Sequence, residues 1–361
     1  MSAVTSDPVY EPAEDSELLA SVIEKYAHGK TLDVGTGSGY LAKVAHSNGC
    51  IVTAIDANPV AIKCLRKERV PFRIHTSDRF AAVRGRFDTI ICNPPYLPND
   101  AELFDPALHG GPKGYEYIVK VIAEAASFIA PGGQFLFLIS TLTKPAVVDD
   151  ALKRNGYAWT IVASEKLFME ELFVYRATLV LDRPALLLGE GWRSRVYGVD
   201  ARTAVKVTTS VRARKEAQIL RTVNKLSIGP KLLRVEEEKL FMQRIVGAPF
   251  DETMVKASLL MKKKLARALL AQLFKLDGAG IKKHELTRPG ANVLVTKSGR
   301  VALLDFERCT YSQRPNNVPQ FCAYLEKALR VDVALVRAAC AAYTRAPSNS
   351  TYRVVVRSLA L

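Results

Sequence analysis

A proline-rich segment at residues 93–96, Asn-Pro-Pro-Tyr, carries side chains suited to methylating a planar nitrogen. Such a reaction requires both hydrogens of the nitrogen to be held, so that the lone pair points at the methyl carbon. The side-chain oxygen of Asn93 and the carbonyl of Pro94 can accept these hydrogens, and Tyr96 can stack on the flat acceptor group. The prolines stiffen the turn in advance. Because proline-rich loops follow strands in many proteins, this interpretation depends on a cofactor site in the same unit.

A glycine-rich segment, LDVGTGSGY at residues 32–40, leads from an apolar strand pattern into a helical one. Gly35, Gly37 and Gly39 permit a tight turn and let the backbone approach a ligand closely. Asp33, at the predicted strand end, can meet a cationic amino group. The spacing GxGxG lacks the extra residue of the usual dinucleotide fingerprint, which favours S-adenosylmethionine as the cofactor.

Two further carboxylates follow the next predicted strands. Asp56 ends the second strand, where a carboxylate can bind both hydroxyls of a ribose. Asp78 comes after the third strand and can accept from the exocyclic amine of adenine. A dinucleotide enzyme would share Asp56, so the glycine spacing and residues 93–96 decide for S-adenosylmethionine.

A second set of candidate residues lies beyond residue 184. Gly189 and Gly191 belong to the run GEGWRSRV, whose backbone amides can cover phosphates. Lys206, on the next predicted strand, can contact the phosphates as a point charge. Glu216, on a predicted helix, can pair with Lys206 and hold it in position. The pattern predicts ATP as a ligand of this half.

The other candidate residues of the second half come later in the chain. Leu240–Gln243 is the expected strand and hinge that receive adenine. Asp305, in the run LDFE, follows an apolar strand where a magnesium ligand is expected, and Asn292 can hold a second magnesium ion. Glu285 takes the place of a catalytic base.

Alternating β-rich and helical runs over residues 31–183 must position the first set of residues. They predict an α/β fold with a mostly parallel sheet covered by helices on both faces. The predicted strands are 31–34, 51–56, 72–75, 87–92, 134–139, 157–162 and 172–181. The predicted helices are about 15–27, 38–48, 58–69, 115–130 and 144–155.

The pattern changes near Pro184, which predicts two domains, 1–183 and 184–361. Hairpin strands open the second domain, and helices are predicted at about 210–226 and 256–279. The net charge is about −3 in the first domain and +18 in the second. The second domain is therefore expected to face polyanions such as RNA or the ribosome, unless its charge is only a solvated surface. The candidate contacts are Arg212, Arg214, Lys215 and Lys262, Lys263 and Lys264.

The chain carries no long uncharged apolar run and no basic, apolar signal peptide at its N-terminus, which predicts a cytosolic protein away from membranes. Its six cysteines are scattered without a CxxC pair, which indicates reduced thiols and argues against a zinc site.

Three motifs of the first domain resemble the archaeal and eukaryotic branch of the HemK/PrmC family of protein-glutamine methyltransferases. They are YEPAEDS at Tyr10–Ser16, the segment 93–96 and HGGPKG at His109–Gly114, and the likeness covers about 10–183. The resemblance implies a class I, Rossmann-like methyltransferase with a seven-stranded sheet. It also implies methylation of the glutamine amide in the GGQ loop of a class-1 translation release factor. It adds Ser16 and Arg79 to the cofactor pocket and implies a small zinc-binding activator subunit.

The same Asn-Pro-Pro-Tyr segment occurs in enzymes that methylate the exocyclic amine of adenine in DNA or RNA, because that amine is planar too. The motif does not separate the two acceptors. A nucleic-acid methyltransferase with a basic target-binding domain is therefore the alternative, and a lysine or small-molecule acceptor is a third possibility.

Residues of about 186–325 resemble the atypical kinases related to the RIO family, and most closely an archaeal group of Ser/Thr kinases. This resemblance implies an α+β protein-kinase-like domain that binds ATP and magnesium. Two departures matter. Glu285 replaces the catalytic aspartate and precedes Asn292 by seven positions where the usual pattern has five, and DFE at 305–307 replaces DFG. An active kinase, a nucleotide-binding switch and a pseudokinase scaffold stay open, and ATP binding is favoured over phosphorylation.

Overall fold

The computed structural model describes residues 11–99, 105–329 and 331–361, so Tyr10 of the YEPAEDS motif lies outside the described residues. The chain divides into two compact units, Met1–Leu187 and Leu188–Leu361. The division falls just after the Pro184 boundary expected from the sequence. None of the helices within the described ranges is long and apolar enough to cross a membrane.

A seven-stranded sheet forms the centre of the first unit, as predicted. Its strands are β1 (Lys30–Val34), β2 (Ile51–Asp56), β3 (Arg73–Thr76), β4 (Phe87–Cys92), β7 (Ile129–Ser140), β8 (Tyr157–Lys166) and β9 (Glu171–Leu179). The order is β3-β2-β1-β4-β7-β9-β8, and β9 runs antiparallel to both β7 and β8, whereas the other neighbouring strands pair in parallel. A short parallel pair, β5 (Leu97–Pro98) and β6 (His109–Gly111), lies outside this sheet.

Helices cover both faces of the sheet because the apolar side chains of its central strands point alternately to one face and to the other. Phe135 and Phe137 of β7 pack in one core with Ile118, whereas Leu136 and Leu138 pack in the other with Leu19. The helices are α1 (Glu14–Tyr26), α2 (Tyr40–Ser47), α3 (Pro59–Glu68), α4 (Glu116–Ala125) and α5 (Pro145–Arg154). This class I, Rossmann-like arrangement brings the ends of β1, β2 and β4 to one edge.

The second unit combines an antiparallel sheet with a larger helical part. The sheet has the order β10-β11-β12-β14-β13. Its strands are β10 (Leu186–Gly191), β11 (Ser194–Gly198), β12 (Thr203–Val207), β13 (Leu232–Glu236) and β14 (Lys239–Gln243). Shorter strands follow at β15 (Ala248–Pro249), β16 (Ile281–Lys282), β17 (Val293–Val295), β18 (Val301–Leu303) and β19 (Thr310–Tyr311).

The helices of the second unit are α6 (Ser210–Lys225), α7 (Phe250–Lys256), α8 (Leu259–Gly278), α9 (Asn317–Leu329), α10 (Val333–Arg345) and α11 (Asn349–Ser358). The sequence predicts a single helix over 256–279, and this prediction is wrong in its first turn, because α7 ends at Lys256 and α8 begins at Leu259. Ser258 accepts a hydrogen bond from the backbone of Met261 and starts a new helix there. A serine that caps in this way competes with continuous helix, which explains the break after α7.

Candidate functional site

A cavity of about 610 Å³ opens at the carboxyl edge of the first unit's sheet. Its lining includes most of the residues that the sequence singled out, namely Ser16, Gly35, Gly37, Asp56, Asp78, Arg79, Asn93, Pro94 and Tyr96. Asp33, near the end of β1, and Gly39, directly before α2, adjoin this lining in sequence but are not part of it. Residues from five separate stretches of chain therefore meet at one place, as expected for a ligand site at this edge.

The three glycines of the loop after β1 all adopt positive φ angles, but they do different things. A Cβ at Gly37 would have no described atom within 4 Å, and one at Gly35 would only approach the Tyr117 hydroxyl at 3.9 Å. A Cβ at Gly39 would instead lie 2.6 Å from Leu65 of α3. The first two glycines thus leave room for a ligand, and the third lets α2 begin close to α3.

Asp33 is buried at the end of β1 and is only half satisfied. Thr36 donates a hydrogen bond of 2.7 Å to its Oδ2, while its Oδ1 has no hydrogen-bond partner among the residues that the structure describes. Burial raises the pKa of Asp33 to about 7, and the nearby charge of Asp56 adds to the rise. A cationic ligand group at Oδ1 would reverse this effect and stabilise the carboxylate.

Asp56 presents its carboxylate in a fixed orientation at the end of β2. Its Oδ2 accepts from the backbone amide of Gly37 at 2.8 Å, and its Oδ1 accepts from that of Asn58 at 2.8 Å. Each carboxylate oxygen keeps a further lone pair, so the group can still accept from two ligand hydroxyls.

Asp78 and Arg79 form the rim of the cavity. The Arg79 guanidinium donates to Asp78 at 2.9 Å and to Glu124 of α4 at 3.0 Å. The Asp78 side chain is largely exposed, so it can turn toward a ligand at small cost. Because Arg79 pairs with Glu124 of α4, its charge is already neutralised, and its main effect is to hold this rim in place.

The nitrogen and the oxygen of the Asn93 side-chain amide have different surroundings. Its Nδ2 donates to Asp15 Oδ2 at 3.0 Å and to Ser16 Oγ at 3.3 Å. Its Oδ1 is buried, and no described residue donates a hydrogen bond to it. If the Asn93 amide were rotated by 180°, its oxygen would lie against the Asp15 carboxylate and the two would repel each other. Electrostatic repulsion therefore decides which end of the amide faces Asp15. Asn93 therefore keeps an acceptor available at the cavity.

The glycine-rich segment 109–114 supports the backbone of the Asn-Pro-Pro-Tyr loop. The amides of Tyr96 and Leu97 donate to the carbonyl of Leu108 at 3.1 and 2.9 Å. A Cβ at Gly110 would lie 2.4 Å from the carbonyl oxygens of both Pro95 and Gly114. Only a residue without a side chain permits this contact, which explains the glycines of that motif.

Asp15, Thr36 and Tyr117 contribute to this site although the sequence analysis did not select them. Asp15 stands in the YEPAEDS motif beside Ser16, so the motif was the available signal. Tyr117 of α4 lines the cavity, and burial holds its pKa above the usual range, so its hydroxyl stays protonated. A tyrosine on a helix has no distinguishing pattern in a single sequence.

The second unit has its own cluster of charges around Lys206. The Nζ atom of this buried lysine lies 2.8 Å from Glu216, 2.8 Å from Asp305 and 3.0 Å from Glu307. Burial alone would lower the pKa of Lys206, but the carboxylates of Glu216 and Asp305 outweigh it and raise the pKa. Glu216 also accepts from the backbone amide of Phe306 at 3.1 Å. The cluster joins β12, α6 and the segment after β18.

A cavity of about 900 Å³ lies beside this cluster. It is lined by Gly191, Trp192, Arg193 and Ser194 at the β10–β11 turn, by Arg212, Lys215, His284, Glu285 and Thr287, and by Asp305, Glu307 and Arg308. Four residues that the sequence placed at this site are not part of that lining, namely Gly189, Lys206, Glu216 and Asn292. Arg212 and Lys215, considered above as RNA contacts, belong to this cavity, and Arg212 pairs with Glu307 at 3.5 Å.

Glu285 is engaged by neighbouring side chains. Arg308 forms an ion pair with its Oε1, and Asn292 donates to its Oε2 at 3.2 Å. Both carboxylate oxygens of Glu285 therefore already accept from neighbouring side chains, which leaves fewer lone pairs for a substrate hydroxyl. The geometry therefore favours ligand binding over proton abstraction at this position.

Comparison with known proteins concerns mainly the first unit. Residues 11–169 match the methyltransferase small domain family. A protein of Methanocaldococcus jannaschii, named for protein N5-glutamine methyltransferase activity, is 34% identical over 179 residues, which are 47% of this chain and 91% of that protein. The release factor glutamine methyltransferase of Rhodospirillum rubrum is 34% identical over 146 residues, 34% of this chain and 44% of that protein. The chain thus spans less than half of the bacterial relative.

Several solved structures of one bifunctional protein align with nearly the whole chain. The bifunctional kinase-methyltransferase WbdD matches 96% of this chain and 92% of its own, with 14% identity and a TM-score of 0.41.

Proposed function

We propose a methyl transfer to a glutamine side-chain amide, because this chain belongs, through its first unit, to the HemK-type glutamine methyltransferase family. The acceptor is a glutamine of a class-1 translation release factor, in keeping with the activity named for the bacterial relative. The observation that carries the proposal is the buried amide oxygen of Asn93, to which no described residue donates a hydrogen bond, in a cavity shared with the glycine loop.

S-adenosylmethionine fits the polar groups of this cavity and would supply an electrophilic methyl group there. Its cationic amino group matches the buried Asp33 carboxylate, whose Oδ1 has no hydrogen-bond partner within the described part of the chain. Its ribose hydroxyls match Asp56 at the end of β2, and its adenine amine matches Asp78. Gly35 and Gly37 leave the backbone open beside the ligand.

The protein's own contribution to catalysis is to orient the acceptor nitrogen. The Asn93 side-chain oxygen and the Pro94 carbonyl accept the two amide hydrogens, so the nitrogen lone pair points at the methyl carbon. Asp15 and Ser16 hold Asn93 in that orientation before the substrate arrives. Preorganised acceptors of this kind lower the barrier because they need no rearrangement during the reaction.

The test is an incubation of the full chain with labelled S-adenosylmethionine, offering release factor, tRNA and DNA in parallel. We expect label on a glutamine of the release factor, located by mass spectrometry, and none with Asn93→Ala. Label on adenine with an unlabelled release factor would replace this proposal by the nucleic-acid alternative. A parallel series with the zinc-binding subunit tests that partner, which stays a prediction.

A second function is favoured by the cluster at Lys206. We propose that the second unit binds a nucleoside triphosphate, with Lys206 contacting the phosphates and Glu216 orienting the lysine. Asp305, whose side chain is 42% exposed beside the cavity, would hold magnesium. Binding without phosphorylation is the expected outcome, since Glu285 is paired with Arg308. ATP titration of the full chain tests this, with Lys206→Met expected to abolish the binding.

A further inference from the structure

Glu307 stands where the DFG pattern has a glycine, and its carboxylate is part of the charge cluster of the second unit. One oxygen lies 3.0 Å from Lys206 Nζ, and the other lies 3.5 Å from Nε of Arg212. The Glu307 side chain is 17% exposed and lines the cavity. The Glu307 carboxylate therefore occupies an anion position between these two cations, which a glycine would leave empty.

Three carboxylates surround Lys206. The oxygens of Glu216, Asp305 and Glu307 lie 2.8, 2.8 and 3.0 Å from its Nζ atom, and the contact with Asp305 is a hydrogen bond. A phosphate oxygen that is to contact Lys206 competes with these carboxylates for its three N–H donors.

Glu307 is the carboxylate that can leave most readily. Glu216 is 2% exposed and also accepts from the Phe306 amide, so moving it would strand a buried charge. Asp305 is more exposed than Glu307, at 42% against 17%, but it is held by a hydrogen bond of 2.8 Å from Lys206 and a further one of 3.4 Å from the Glu307 amide. Glu307 has the longest of the three contacts, and Arg212 can keep its charge paired after it leaves Lys206.

Glu307 also places a negative charge where the ligand phosphates would lie. The charges of the cluster balance, because the carboxylates of Glu216, Asp305 and Glu307 face Lys206, Arg212 and the buried Lys283, whose charge helps to lower the pKa of Asp305. A triphosphate that approaches Lys206 meets the Glu307 carboxylate at short range, where screening by water is weak. Neutralising Glu307 would remove this repulsion without disturbing Glu216 or Asp305.

We propose that Glu307 is an internal competitor of the ligand phosphates, so that a nucleoside triphosphate binds at Lys206 only by displacing the Glu307 carboxylate. The inference rests on the nucleotide site proposed above for the second unit. Glu307 thus lowers the affinity of the second unit for nucleotide. Removing the Glu307 carboxylate should therefore strengthen the binding of an anionic ligand.

The test is calorimetric titration of the full chain with ATP in the presence of Mg²⁺. The test variants are Glu307→Gln, which keeps the shape, and Glu307→Gly, which restores the DFG residue. Glu236→Gln is the matched control, because Glu236 pairs with Arg234 on the surface of the same unit. This substitution removes the same charge as Glu307→Gln but at a distance from the cluster in sequence. Lys206→Met shows that binding occurs at the cluster, and thermal unfolding of each variant checks that it is folded.

We expect both Glu307 variants to bind ATP at least about tenfold more tightly than the wild type and Glu236→Gln, a change of about 1.4 kcal/mol. Equal affinity of all these proteins would overturn the competitor role while leaving the nucleotide site in place. Weaker binding by the Glu307 variants would also overturn it and make Glu307 a ligand for the bound cation. If neither the wild type nor the Glu307 variants bind ATP, the nucleotide site itself is refuted and this inference with it.

Discussion

The side-chain amide of Asn93 donates to the Asp15 carboxylate across 3.0 Å, joining the loop after β4 to the first turn of α1 over 78 residues of sequence. This contact decides which end of the Asn93 amide faces the acceptor. Asp15 is thus a positioning residue for the proposed methyl transfer, and the YEPAEDS motif owes part of its composition to that contact.

Asp15→Ala should lower the turnover number about 10- to 100-fold while leaving the affinity for S-adenosylmethionine nearly unchanged, because Asn93 loses the partner that orients it. Asp15→Asn should restore most of the activity, since an amide oxygen can still accept from Asn93. Steady-state kinetics with cofactor calorimetry measure both effects. A cofactor affinity that falls as far as turnover would assign Asp15 to cofactor binding instead.

The affinity for S-adenosylmethionine should rise with pH between about 5 and 7, by up to about tenfold per pH unit. The pKa of Asp33 is about 7 in the folded protein, so the group must lose a proton to pair with the cofactor's amino group. Calorimetry at several pH values measures this. Asp33→Asn should bind more weakly and without the pH dependence, and an unchanged profile in that variant would contradict the assignment.

The same Asp33 makes the ligand-free protein less stable as pH rises. Its folded-state pKa lies above the ordinary value of 3.8, so the native state holds more protons than the unfolded state between those values. The free energy of unfolding should therefore fall as pH increases from about 4 to 7. Chemical denaturation with Asp33→Asn as the reference isolates this contribution, which that variant should lack.

Gly110→Ala should reduce methyl transfer strongly and destabilise the fold by about 1–3 kcal/mol, because its Cβ would meet two carbonyl oxygens at 2.4 Å. The loop at residues 93–96 would have to shift. Gly278→Ala is the control, since its Cβ would have no described atom within 4 Å. Thermal unfolding and activity distinguish the two, and a fully active Gly110→Ala would show that the loop tolerates the shift.

Binding of the full chain to RNA should fall steeply with salt if the positive charge of residues 184–361 contacts phosphates. Replacing Lys262, Lys263 and Lys264 by Gln should make the slope of log affinity against log salt shallower. Filter binding over a salt series measures both slopes. Weak binding that is insensitive to the substitutions would reduce this charge to a solvated surface.

The local pattern of the sequence determined most of the first unit. Apolar runs and glycine turns predicted all seven strands of the sheet, because strand and helix periodicities are properties of neighbouring residues. The positions of Asp56 and Asn93 at strand ends followed directly, since the carboxyl ends of parallel strands share one edge. The helix predicted over 256–279 shows the limit, because Ser258 ends one helix and begins another through a single capping bond.

Only the tertiary structure decided which distant groups pair and which stay unpaired. Asp15 reaches Asn93, and Glu307 reaches Lys206, only because packed helices and strands bring separate parts of the chain together. The raised pKa of Asp33 likewise exists only once the fold has removed water from that carboxylate. Pair distances and desolvation depend on the assembled core, so periodicity and motif spacing along one chain contain no measure of either.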